Sequence, residues 1–212
     1  MKKIILVTAL GLCSVFLYAQ QEPVAKAILA KAVAMMKNSP VKIGFATTIE
    51  SPTSKKKTSV SGTLIVMGNK FKLIMNGTEA YFDGKTQWIY VPENNEVTIS
   101  SISAKDQKQM NPLSVLSQYS GKDTKIIVSR EGQVAANQVA IDLFPTAKSA
   151  NEFRILVKID KRTNAPQSLQ LYDRDGSKTT VLIKSFQRVV SDNKMFTFDM
   201  KAHPKISVND LR

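Results

Sequence analysis

The chain has 212 residues, 30 Lys and Arg against 17 Asp and Glu, one histidine and one cysteine. One histidine excludes a histidine dyad or metal cluster, and one cysteine excludes an internal disulfide and a thiolate metal site. The length suits one domain with a substantial core and falls short of two ordinary domains.

Residues 1 to 19 open with Lys2-Lys3, continue as an apolar run from Ile4 through Leu12 to Leu17, and close on Tyr18-Ala19. That pattern predicts a signal peptide cleaved near Ala19, with residues 20–212 as the exported domain. The run is shorter than the roughly 20 residues a membrane anchor needs. Cys13 lies within it, preceded by Leu12 and followed by Ser14-Val15-Phe16, which does not fit lipid attachment. The exported part then has no cysteine at all. Its basic excess fits anionic lipid headgroups or an acidic partner surface, solubility alone is an adequate reading too, and nucleic acid is not expected in that compartment.

Pro23 to Lys37 is rich in Ala and unbranched residues and free of glycine, predicting a helix with Pro23 in its first turn. Val24, Ile28, Met35 and Leu29, Ala32, Met36 recur at helical spacing and give a wide apolar stripe. After Pro40 the period becomes two: Val41, Ile43, Phe45, Thr47 and Ile49 predict a strand with one buried face. Strands follow over 58–67, 71–75, 79–82, 86–91 and 96–100, separated by turn signals such as Gly68-Asn69, Asn76-Gly77 and Asp83-Gly84. Alternation stops between Ser103 and Gly121, where residues 104–119 read as two short helices broken at Pro112. It resumes in strands over 125–130, 133–144, 152–160, 167–172, 179–188 and 195–199. So many strands exceed what an open flat sheet carries, and curling follows.

No phosphate-binding loop, dinucleotide turn or zinc signature is present. Asp173-Arg174-Asp175-Gly176 lacks the further ligands of a calcium loop and reads as a hairpin turn. His203, beside Pro204, reads as an exposed loop residue. Neither a cofactor, a metal nor a catalytic residue is expected, and the chain is not read as an enzyme. What remains is Met, Phe, Tyr and Trp on strand faces beside amphipathic helices, either an ordinary core or the wall of an apolar cavity. Shared-face spacing proposes Phe45, Leu64, Phe71, Leu73, Met75, Trp88 and Tyr90 as that wall. The two helical segments, with Ile28, Met35, Met36, Met110, Leu113 and Leu116, are proposed as a movable lid.

Several segments carry a family resemblance when taken in order. They are Gly62-Thr63-Leu64-Ile65-Val66 with Lys70-Phe71-Lys72-Leu73; Asp83 through Pro92; Asn111-Pro112-Leu113; Asp160 through Leu169; Phe196-Thr197-Phe198; and Ile206 through Asp210. The chain resembles the periplasmic outer-membrane lipoprotein carrier family, the LolA type, over nearly its whole exported length. The resemblance implies a mainly β fold: a curled, unclosed antiparallel barrel of about eleven strands, capped by helices around an apolar cavity. It also implies a monomeric periplasmic chaperone. Such a protein takes acylated lipoproteins from an inner-membrane lipoprotein-releasing transporter, shields their acyl chains, and passes them to an outer-membrane acceptor. A lipid-binding or lipoprotein-sensing regulator on the same scaffold is the alternative. Family members carry a lid-holding arginine near the end of the strand that starts at Gly62, where this chain reads Met67-Gly68-Asn69-Lys70.

Overall fold

A computed structural model describes residues 21–53, 57–103, 110–131, 134–190 and 192–212. The expected signal peptide and residues 104–109 of the first of the two short helices lie outside them. Among the described residues, no helix is long and apolar enough to cross a membrane.

Helix α1 spans Gln21–Asn38. Its buried stripe is Ala25, Leu29, Ala32 and Met36, spaced four, three and four as one helical face requires. Val24, expected on that stripe, is 53% exposed, since it falls about 100° away from Ala25 around the helix. Most of the other described residues build one twelve-stranded sheet: β1 (Val41–Glu50), β2 (Lys57–Met67), β3 (Lys70–Met75), β4 (Thr78–Phe82), β5 (Gln87–Val91), β6 (Glu96–Ser100), β7 (Thr124–Val128), β8 (Gln138–Pro145), β9 (Glu152–Asp160), β10 (Pro166–Asp173), β11 (Lys178–Arg188) and β12 (Ser207–Asp210). The order is β12-β6-β5-β4-β3-β2-β1-β11-β10-β9-β8-β7. The two end strands do not pair, so the sheet curls without closing.

Two antiparallel meanders, β1 to β6 and β7 to β11, meet where β11 pairs with β1. Tight turns explain the meanders. Asn76 and Gly77 both take positive φ, 52° and 75°, the conformation a two-residue hairpin needs for its twist to match the strands. The short helix α2 (Ser114–Gln118) starts after Pro112, where Asn111 accepts the Leu113 N–H through Oδ1 at 3.2 Å.

Register fixes the faces. One row runs Ile43, Leu64, Leu73, Ala80, Ile89, and the next runs Val41, Val66, Phe71, Phe82, Gln87. Both lie on the concave face and pack with α1 and α2 in one core. The opposite face carries Lys72, Tyr81, Trp88 and Ile99 in one row and Ile74, Glu79, Tyr90 and Val97 in another. Trp88 and Tyr90 therefore point outward, against the expected inward placement, into a second cluster covered by Phe198, Met200 and Ile206.

Two further expectations are corrected, and one strand was not expected. Residues 195–199 form no strand; a 3-10 turn at Asn193–Phe196 takes up the first two of them and another, Met200–Ala202, follows, capped by Asp192 and Asp199, whose side chains accept the N–H groups of Lys194 and Lys201. The last strand is instead Ser207–Asp210, parallel to β6 in an otherwise antiparallel sheet. The strand expected from residue 133 begins at Gln138, after a turn in which the Gln138 N–H donates to the Ala135 carbonyl at 2.8 Å.

Candidate ligand cavity on the concave face

A cavity of about 480 Å³ lies between the concave face and the segment leading into α2. Strands β1, β3 and β10 supply Phe45, Leu73, Met75 and Leu171; Met110 and Pro112 supply the roof. This volume falls within the range of about 300–1,000 Å³ usual for small-molecule sites.

Not all the expected wall residues meet here. Phe45, Leu73 and Met75 line the cavity. Leu64 is fully buried in the core. Phe71 borders a separate cavity of about 400 Å³ between α1, α2 and the β2–β3 turn. Trp88 and Tyr90 are on the other face of the sheet. Among the expected lid residues, Met110 faces the 480 Å³ cavity, Met36 borders the 400 Å³ one, and Met35 borders a third cleft beside β11. Leu113 and Leu116 are buried core residues, and Ile28 packs against that core.

One end of the main cavity is acidic, which the alternation pattern did not show. Strand parity would place Phe153 with Ile155, Val157 and Ile159. The register between β9 and β10 instead shifts there, with Arg154 opposite Tyr172 but Glu152 opposite Asp173. A bulge turns one side chain over relative to strict alternation. Phe153 accordingly ends 46% exposed beside Tyr172, while Glu152 is 3% exposed and lines the cavity with Asp173. The buried Tyr119 hydroxyl donates to Glu152 Oε2 at 2.6 Å. Burial, and then the carboxylate acceptor, push the Tyr119 phenol well above its ordinary value, so it remains a donor at every physiological pH. No local sequence signal marks this bulge, which contains neither Gly nor Pro.

Among the described residues the cover is held to the sheet by packing, by the Tyr119–Glu152 hydrogen bond and by a backbone hydrogen bond from the β2–β3 turn to α1. The Gly68 N–H, in the β2–β3 turn at φ 62°, donates to the Met36 carbonyl at 2.8 Å. A carbonyl in the last turn of a helix lacks an intrahelical donor, and this turn supplies one. The segment where the family resemblance implies a lid-holding arginine thus makes its contact through the main chain. Lys70 forms no side-chain hydrogen bond or ion pair among the described residues.

Among the described residues lining the cavity, no nucleophile is hydrogen-bonded to a base. His203 is not an exposed loop residue; it is half-buried on the outer face, stacked on Phe198 at 4.7 Å and 4.6 Å from Tyr90. The chemistry available in the cavity is apolar enclosure with one polar, acidic end.

A curled antiparallel sheet with helices over its concave side, enclosing an apolar cavity, defines a binding or carrier scaffold. Residues 37–199 match the family described as outer membrane lipoprotein carrier protein LolA, and the chain belongs to that family. An uncharacterised conserved protein of Thermus thermophilus shares the fold with a TM-score of 0.55 at 12% identity, over 88% of this chain and 98% of that one. A LolA superfamily protein of Nitrosomonas europaea aligns with a TM-score of 0.41 at 12% identity, over 82% and 97%. The MucA/MucB complex of Pseudomonas aeruginosa gives 0.46 at 13% identity, over 86% of this chain and 62% of that one. No curated protein matches the sequence.

Proposed function

We propose that the chain is an exported, monomeric periplasmic carrier that shields the acyl chains of lipoproteins in the concave cavity and transfers them from the inner to the outer membrane. On this reading the residues after Ala19 act as one domain, an inner-membrane lipoprotein-releasing transporter is the donor, and an outer-membrane protein is the acceptor. No covalent chemistry is involved. The observation that carries the proposal is the cavity of about 480 Å³, with Phe45, Leu73, Met75 and Leu171 as its wall and Met110 as part of its roof, in a chain of the carrier family. Burying ten methylenes there stabilises a complex by about 8 kcal/mol, at about 0.8 kcal/mol each, which corresponds to a dissociation constant of about 1 μM.

The test is titration with a diacylated peptide, observed through the methionine methyl resonances. Saturable shifts of Met75 and Met110 are expected, and Leu73→Glu should abolish them; because Leu73 is 5% exposed, strand amide resonances and a urea transition check that the variant is folded. Native mass spectrometry of protein taken from its own periplasm should show acylated material bound. Saturable binding that leaves both methyls unmoved, or that survives Leu73→Glu, refutes the cavity as the acyl site.

A further inference from the structure

Strand β11 runs on past one of its partners. Its pairing with β10 ends at Leu182 opposite Ser168, whereas its pairing with β1 continues to Arg188 opposite Val41. A cleft of about 350 Å³ lies along this one-sided stretch, bordered by the β9–β10 turn and by Met35 of α1. It shares no lining residue with the cargo cavity.

The cleft combines two chemistries. Met35, Ile183 and Phe186 give it apolar surface, while Arg162, Lys184 and Arg188 bring three cations. Asp160 is the one carboxylate lining it among the described residues; it stays charged, against three cations, and its oxygens are turned to the β9–β10 loop and to Asn137. Oδ1 accepts the N–H groups of Arg162 and Thr163 at 2.9 and 2.7 Å and the Thr163 hydroxyl at 2.9 Å, and Oδ2 accepts from Asn137 at 2.9 Å. Those bonds, led by Thr163, hold the carboxyl below the usual aspartate value. Asp160 thus shapes the turn through the Arg162 main chain and makes no ion pair with its guanidinium among the described residues. Neither Arg162 nor Arg188 forms a side-chain ion pair among the described residues, and the only bond of Lys184 Nζ among them is to the neutral Ser61 hydroxyl at 3.3 Å.

We propose that this cleft binds the phosphate-bearing headgroup of a lipid, with Arg162 and Arg188 on the phosphate oxygens and the adjoining methylenes on Met35 and Phe186. Two planar guanidinium forks match the oxygens of a phosphate in a way point charges do not. The apolar surface beside them distinguishes an amphiphile from a free ion. Lys184, on the bulged residue between Ile183 and Ser185, adds attraction without a fixed geometry. Such a site would let the protein hold a membrane phospholipid by its head while the cargo cavity is separately empty or full.

The experiment titrates the full exported chain with dihexanoyl phosphatidylglycerol below its micelle concentration, with inorganic phosphate, and with octyl glucoside, again through methionine methyl resonances. Phosphatidylglycerol should shift Met35 saturably, and the double variant Arg162→Gln, Arg188→Gln should weaken that binding about tenfold or more, as loss of charge-assisted bonds requires. Both side chains are exposed, so the variant should fold normally, and unchanged Met75 and Met110 resonances check that it does. Inorganic phosphate should bind more weakly, and octyl glucoside should leave Met35 unmoved. Shifts confined to Met75 and Met110 overturn the proposal while leaving the cargo cavity intact. An unaffected Met35 shift in the double variant, or inorganic phosphate binding as tightly as the lipid, overturns it as well.

Discussion

Replacing Leu29 by alanine tests whether α1 is a separable cover or part of the fold's core. Leu29 is 1% exposed and lies in the same cluster as the concave rows of the sheet. A buried Leu→Ala change costs about 3 kcal/mol, the lost transfer energy plus the cavity left behind. At about 1.4 kcal/mol per tenfold, that is roughly a hundredfold increase in whichever opening exposes this side chain. If α1 undocks on its own, Leu29→Ala should accelerate native-state amide exchange by about that factor in α1 and, through global unfolding, in β1, β2 and β9 as well, with α1 remaining the faster of the two. Leu169→Ala serves as the comparison, since that side chain is 0% exposed on β10 and should accelerate exchange through global unfolding. Acceleration of α1 together with the strands in Leu169→Ala would refute the separable cover, because a helix that undocks on its own leaves Leu169 buried. It would also leave acyl uptake without a moving part.

Tyr119→Phe should destabilise the fold by about 1–3 kcal/mol in urea, because it removes a donor from a buried carboxylate; no change would show that Glu152 is satisfied without it. Arg154→Met should cost about 3 kcal/mol. The change strands Asp142, which is 4% exposed and 2.8 Å from Arg154 Nε, and Asp142→Leu in the same chain should recover most of the loss. On the outer face, burial alone would raise Glu79, but the hydrogen bond from Tyr81 at 2.5 Å and the ion pair with Lys72 at 3.0 Å outweigh it and hold the carboxyl below its ordinary value of 4.5. Its contribution is therefore complete above that ordinary value and disappears as pH falls through the lower folded value. Trp88, directly opposite Tyr81, should report this as an emission change at acid pH that Glu79→Gln removes.

The helix, the strand positions and the hairpins were legible because they rest on local rules: a helical period ending before Pro40, alternation after it, and Asn76-Gly77 at a turn. The side on which each row lies was not. On β5 both faces are apolar or aromatic, with Ile89 on one and Trp88 and Tyr90 on the other. Parity groups residues but does not say which group faces in. Only the pairing of Ala80 with Ile89 and of Tyr81 with Trp88 settles it. The acidic end of the cavity escaped for a related reason: the bulge at Phe153 breaks the parity on which the reading depends. Strand β12 escaped because Ser207-Val208-Asn209-Asp210 is exposed throughout and is held by main-chain bonds to β6, which carry no compositional signal.

How far the cover opens bears directly on how tightly a carrier can hold its cargo. The open cavity is bounded by Met110 and Pro112, but beyond it the concave face is already occupied by Leu29, Met36, Leu113 and Leu116. An acyl chain that stays within the cavity gains its burial without displacing protein. One that extends further must push these side chains out, replacing their contact with the wall by its own. Both surfaces are aliphatic, so each square ångström gained by the chain, at about 25 cal/mol, is matched by a similar loss from the cover. Net affinity then stops rising with chain length once the cavity is full. On the proposed carrier reading this is useful, because a ligand whose deeper methylenes add nothing net can leave without breaking their full interaction with the wall, and a helix free to return would supply the competing contact.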